Sequence, residues 1–143
     1  MKRVIAFDLG AGSYRAVEGH FSHGQLSEVY EIARFRHTIK RINGHDCWDM
    51  VKICEDIVEV LQKQAREGPQ IDSVGIDSWG SDFGFLDGND QLLQLPVIYR
   101  DTYPDGMREK FFTDIESSYQ RIGGSNAGST SALMLKGMLE KGF

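Results

Sequence analysis

The chain has 143 residues, enough for one domain with a sizeable buried core. It is 41% hydrophobic and 26% charged with a formal net charge of −5, a water-soluble globular composition that argues against a nucleic-acid partner, because phosphodiester binding calls for a basic surface. Cys47 and Cys54 fit neither a C-x-x-C nor a zinc spacing and read as free thiols of a reducing compartment.

Met1-Lys2-Arg3 starts basic, but Asp8 interrupts the apolar stretch that follows, which is too short for a signal peptide. No apolar run reaches the roughly 20 residues of a membrane span. A cytoplasmic location without membrane contact is therefore expected. Val4 to Leu9 reads as a strand buried on both faces, Gly10 to Ser13 as a tight turn, and Tyr14 to Phe21 as a second strand. Ser22-His23-Gly24 is turn chemistry, and Leu26 to His37 a third strand. Turns this short make the three strands antiparallel neighbours.

A loop is expected around Asn43-Gly44, then a helix with Asp49 near its start. Val51, Cys54, Ile57, Val58, Leu61 and Ala65 are predicted to be its apolar face, and Glu67-Gly68-Pro69 its stop. Ile71 to Ile76 reads as another buried strand, leading into Asp77-Ser78-Trp79-Gly80-Ser81-Asp82-Phe83. Phe83 to Leu86 and Leu92 to Tyr99 are predicted strands about the turn Asp87-Gly88-Asn89-Asp90. Met107 to Ile115 and Ser118 to Ile122 look helical. A loop from Gly123 to Gly128 precedes a last helix, capped by Ser129 or Thr130, with Leu133, Leu135, Met138 and Leu139 as its apolar surface. The order β-β-β-α-β implies a mixed sheet flanked by helices, an α/β class.

Two glycine-rich segments invite comparison with nucleotide loops. Gly10-Ala11-Gly12-Ser13-Tyr14-Arg15 lacks the third glycine of the dinucleotide fingerprint, and a strand rather than a helix follows it. Gly123-Gly124-Ser125-Asn126-Ala127-Gly128-Ser129-Thr130 has Ser129 where a P-loop needs lysine, and reads as a surface loop with a helix cap. The first segment remains open between an ordinary hairpin and a phosphate site. For the latter, small residues let the backbone approach a phosphate, and turn amides form an anion nest. Asp8 would hold Mg²⁺, Ser13 would donate a hydroxyl and Arg15 would add charge.

Four segments in order resemble a known family: Asp8-Leu9-Gly10-Ala11-Gly12-Ser13-Tyr14-Arg15; Gly44 to Asp49 with Trp48-Asp49; Ile71 through Gly75-Ile76-Asp77-Ser78-Trp79-Gly80-Ser81-Asp82-Phe83; and Leu95-Pro96-Val97-Ile98-Tyr99-Arg100-Asp101. Together they resemble the FGGY carbohydrate kinases of the actin-like ATPase superfamily, and within these the rhamnulokinase group. Tyr119-Gln120-Arg121 also fits, so the likeness covers residues 4 to about 122.

The resemblance implies an actin-like (ribonuclease H-like) fold and ATP-dependent phosphorylation of a ketose, L-rhamnulose to L-rhamnulose 1-phosphate, with Mg²⁺. It assigns Ala11, Gly12, Ser13, Tyr14 and Arg15 to ATP and Gly80 to the sugar, beside Asp8 as the residue expected to hold the metal. Asp82 and Arg100 are further candidate partners for sugar hydroxyls. Trp79 is either a stacking wall for the sugar or part of the core. The resemblance also implies that residues 1–143 are the N-terminal part of a two-domain kinase whose catalytic Asp, adenine pocket and second phosphate loop lie beyond Phe143. No catalytic residue is therefore assigned here. The alternatives are a non-catalytic binding module of that fold, inactive alone and able to self-associate through an exposed apolar face, or a kinase for another sugar.

Overall fold

The computed structural model describes residues 1–107, 109–110 and 130–141. They fall into two compact units: residues 1–39 with 49–80, and residues 40–48 with those from Ser81 onward.

In the first unit, β1 (Lys2–Leu9), β2 (Ser13–Ser22) and β3 (Gln25–Arg36) form an antiparallel meander. The order in the four-stranded sheet is β3-β2-β1-β6, with β6 (Ser73–Ser78) running parallel to β1 at the edge. The second turn of the meander uses His23 and Gly24 at φ 51° and 79°, the positive values that match a hairpin's twist. β1 alternates rather than being buried on both faces as predicted. Ile5, Phe7 and Leu9 are buried with Tyr14 and Ala16, whereas Ala6 is exposed and Asp8 half-buried.

Helix α1 (Met50–Glu67) covers this apolar face. Asp49 caps it by accepting from the Lys52 amide at 3.3 Å. The chain leaves at Gly68, where a Cβ would lie 2.8 Å from the Arg3 guanidinium. Arg3 ties the helix end to the sheet, donating to the carbonyls of Gln64 (3.1 Å) and Pro69 (2.7 Å) and to Glu18 (2.7 Å).

The buried face of α1 differs from the predicted one. Ile53, Asp56 and Val60 are buried, with Met50, Ile57 and Leu61 packed beside them, whereas Val51, Cys54 and Val58 are exposed. The inward stripe carries polar Asp56 and Gln64, which find partners on the sheet, so apolar spacing alone points a turn-fraction away. The strand predicted from Ile71 is β6, and it is exposed, with Val74 at 47% and Ile76 at 61%, because it is the edge of the sheet among the described residues.

In the second unit, the loop expected at Asn43-Gly44 is a hairpin, β4 (Ile39–Ile42) and β5 (His45–Trp48). Asn43 and Gly44 take φ 50° and 87°, which is the Asn-Gly signature of a two-residue turn. The predicted strands at 83–86 and 92–99 reduce to single bridges, Leu86 with Leu92 and Val97 with Cys47. Asp87 draws the amides of Asn89 and Gln91 onto its own carboxylate at 2.8 and 2.9 Å, and Pro96 has no N–H to give a ladder. Cys47, Val97, Tyr103, Met134 and Met138 make the core of this unit. The last two come from α2 (Ser131–Lys141), in which Leu133 is also buried but Leu135 and Leu139 are exposed, contrary to the predicted face. Thr130 does precede this helix, its carbonyl accepting from Met134. Most of the helical segments predicted between 107 and 122, the 123–128 loop and Ser129 lie outside the described residues.

Candidate phosphate hairpin and sugar-side residues

β1 ends and β2 begins on either side of a two-residue turn. Gly10 N–H donates to the Ser13 carbonyl at 3.1 Å, leaving Ala11 and Gly12 at the tip. These two residues lie outside both strands, so the ladder does not use their amides. A Cβ on Gly12 would meet nothing within 4 Å, so its exposed backbone is open to a ligand.

Behind the tip, strand register lines up charge. Asp8 pairs with Arg15 across β1–β2, Arg15 with Arg34 across β2–β3, and Asp8 with Asp77 across β1–β6. Paired residues share a face of a sheet. The row therefore reads Arg34, Arg15, Asp8, Asp77, two cations followed by two carboxylates, on the face opposite the apolar core. Arg15 Nε and Nη2 both lie 3.0 Å from Asp8 Oδ2, and Arg34 donates to Ser13 Oγ at 3.4 Å. Glu31 engages both arginines, Arg34 at 2.8 Å and Arg15 at 3.8 Å. It is held below the usual carboxylate range, chiefly by its hydrogen bond from Arg34.

Tyr14 faces the other way. Its side chain is 1% exposed, stacks on Phe35 at 5.1 Å and hydrogen-bonds to Asp56. Burial, and then Asp56, push its phenol far above the ordinary range, so it is the donor in that bond. Among the five residues expected at ATP, Tyr14 thus offers only backbone, whereas Ala11, Gly12, Ser13 and Arg15 are at least partly exposed.

Gly80 closes the first unit, and a Cβ there would also meet nothing within 4 Å. Trp79 packs against the first core, stays partly exposed and sets its ring against His37. His37 is a contributor that the sequence reading passed over. Its Nε2 donates to the Gly10 carbonyl at 2.7 Å. No motif marks it, and only its place just past the end of β3 could have suggested it.

The two remaining sugar candidates belong to the second unit. Asp82 accepts a hydrogen bond from Trp48 Nε1, which fixes the orientation of its carboxylate. Arg100 is exposed, with its guanidinium 5.0 Å from the Tyr99 ring centre. Its neighbour Asp101 is a structural knot, accepting at 3.0 Å from His45 Nδ1, the Asp46 amide and the Tyr103 amide. Burial pushes that carboxyl up, but these donors outweigh it and hold it below the usual range. A cavity of about 500 Å³ opens beside Cys47, Leu95 and Val97, and none of the predicted site residues lines it.

Among the described residues, no three His, Cys, Asp or Glu side chains cluster as a metal cage, and no helix is long and apolar enough to cross a membrane.

No family model matches the chain. It is 38% identical over 111 residues to a rhamnulokinase of Oceanobacillus iheyensis, covering 78% of this chain and 23% of that one. It is 40% identical over 117 residues to a rhamnulokinase of Bacteroides thetaiotaomicron, covering 82% and 24%. The chain thus spans about a quarter of the length of these relatives. Among solved structures, a ligand-bound xylulose kinase from Lactobacillus acidophilus superposes with a TM-score of 0.78 over 99% of this chain and 29% of that one, at 14% identity. A glycerol kinase with ADP from Plasmodium falciparum gives 0.70 over 98% and 29%, at 13% identity. The structural likenesses establish the fold, the actin-like α/β fold of sugar kinases.

Proposed function

We propose that this chain, a homologue of the rhamnulokinases over a quarter of their length, is the N-terminal part of an ATP-dependent sugar kinase acting on L-rhamnulose. The observation that carries the reading is the row Arg34, Arg15, Asp8, Asp77 set behind an open Ala11-Gly12 tip. A phosphate at the tip would meet backbone amides from Ala11 and Gly12 and the Ser13 hydroxyl, with the two arginines on one side to balance its charge. Arg15 already holds a carboxylate through two nitrogens, so an incoming phosphate competes with Asp8 for it.

The carboxylate side suits Mg²⁺. The described residues supply one or two carboxylates rather than a cage, which fits an ion that keeps waters and takes its other ligands from phosphates. When bound, that ion would neutralise charge on the transferring group. Asp8, released from Arg15 by the phosphate, would face it. Gly80, with no side chain, would offer a sugar bare backbone, and Asp82 and Arg100 of the second unit are separately proposed as hydroxyl partners. Tyr14 would hold the hairpin from below through Asp56.

Phosphoryl transfer needs groups on both sides of the nucleotide. The chain is accordingly proposed to bind without turning over alone, in the cytoplasm, with a small sugar and Mg²⁺–ATP as its ligands. The test is a titration of ADP with Mg²⁺ into the ¹⁵N-labelled 143-residue chain. The backbone shifts are expected to be largest at the amides of Gly10 to Arg15, and lost with Asp8→Ala when Mg²⁺ is required. L-Rhamnulose should move Gly80, Asp82 and Arg100 at lower concentration than D-xylulose or glycerol does. An unmoved hairpin at millimolar ADP overturns the phosphate assignment, and D-xylulose binding better than L-rhamnulose overturns the choice of sugar.

A further inference from the structure

His37 stands where the two proposed subsites of the first unit come closest to sharing a side chain. Through Nε2 it holds the Gly10 carbonyl at 2.7 Å, at the residue where β1 hands over to the phosphate turn. Its ring lies 4.9 Å from that of Tyr14, tilted by 35°, and meets Trp79 edge-to-face at 5.4 Å and 88°. Tyr14 is the floor beneath it, buried, stacked on Phe35 and bonded to Asp56. Trp79 immediately precedes Gly80. One imidazole therefore connects the base of the hairpin to the loop that carries the open glycine.

Resting on the phosphate reading above, we propose that His37 is a positioning residue that couples occupancy of the Ala11-Gly12 tip to the placement of Trp79 and Gly80. The hydrogen bond and the ring contact do different parts of this. The Nε2–H fixes the Gly10 carbonyl and, through the same peptide plane, the amide of Ala11 at the tip. The ring edge sets the plane of Trp79. A phosphate that draws the Ala11 amide toward itself pulls on the Gly10 carbonyl, and the imidazole passes that displacement to the indole. Side chains in contact move together only when both contacts persist, so removing either one breaks the link.

Two substitutions separate the contacts. His37→Gln places an N–H near the position of Nε2 but removes the ring, and His37→Phe keeps a ring but removes the donor. The experiment is an ADP–Mg²⁺ titration of the full 143-residue chain and both variants, following the Ser13 amide and the Trp79 indole N–H by NMR. In the native chain both resonances should move with one midpoint. In His37→Gln the Ser13 amide should still move, with a midpoint within about twofold of native, while the Trp79 indole stays still. In His37→Phe the midpoint should rise about fivefold, as loss of one hydrogen bond to the turn implies. An indole that moves as far in His37→Gln as in the native chain overturns the coupling. So does a native indole that stays still while Ser13 moves, which leaves the phosphate site standing. A native chain in which neither resonance moves removes the phosphate reading and this inference with it.

Discussion

Asp56 is the perturbation from which the structure gives the clearest number. Its carboxylate is 3% exposed and accepts from Tyr14, which is 1% exposed, and from Lys52, whose side chain is half in water. Asp56→Ala strands the Tyr14 hydroxyl in the core, which costs about 1.5–3 kcal/mol for a hydrogen bond to a charged group. Lys52 returns to solvent at little cost, and alanine restores about 0.5 kcal/mol of helix propensity. The expected loss is about 2 kcal/mol, or about 1 M in the urea midpoint at a slope of about 2 kcal/mol/M. Tyr14→Phe should cost a similar amount by leaving the buried carboxylate with Lys52 alone. The pair Tyr14→Phe with Asp56→Leu removes both polar atoms, and should cost at least about 1.5 kcal/mol less than the sum of Asp56→Ala and Tyr14→Phe. Urea unfolding is read by tryptophan fluorescence in a Trp48→Phe background, which leaves Trp79 of the first unit as the sole emitter. An Asp56→Ala midpoint within about 0.2 M of native, or strict additivity of the pair, would refute the reasoning.

Arg15→Ala should leave the urea midpoint almost unchanged, because its pair with Asp8 is a surface pair, while weakening ADP binding about tenfold by calorimetry. Gly12→Val, with room for its side chain, should keep the melting temperature within about 3 °C yet abolish the amide shifts at the tip. Glu18 is held below the usual carboxylate value chiefly by its hydrogen bond from Arg3, against the pull of burial. Unfolding raises its proton affinity, so its contribution is complete above about pH 4.5 and is lost as pH falls through the depressed folded value. Melting temperature against pH should therefore decline more gently below pH 4.5 in Glu18→Gln than in the native chain.

The sequence made the meander, the helix limits and the Gly10–Ser13 turn legible because short turns, a capping Asp49 and the Gly68-Pro69 stop act locally. It misplaced what depends on distant partners. The α1 face was misjudged because Asp56 and Gln64 are buried only by virtue of Tyr14 and Arg3, far away in the chain. The 92–99 strand was cut to single bridges at Leu92 and Val97, with Pro96 between them having no N–H to give a ladder. For the candidate site, Asp8, Gly12, Arg15 and Gly80 were recognisable by motif. That Tyr14 turns inward follows from the alternation of β2 once its register is known. His37 carries no pattern of its own, since its role comes from where β3 ends relative to Gly10 and Trp79.

The charged row depends on the opposite, apolar side of the sheet. Slipping β2 against β1 by one residue would turn Arg15 inward and Tyr14 outward. What forbids the slip is the apolar alternation of Ile5, Phe7, Leu9, Tyr14 and Ala16 under α1. The spacing of the four charges is thus a property of the core. A variant that loosens Phe7 would displace the charged row without altering any residue in it. Anyone redesigning specificity here must treat the hidden face as the alignment rail for the visible one.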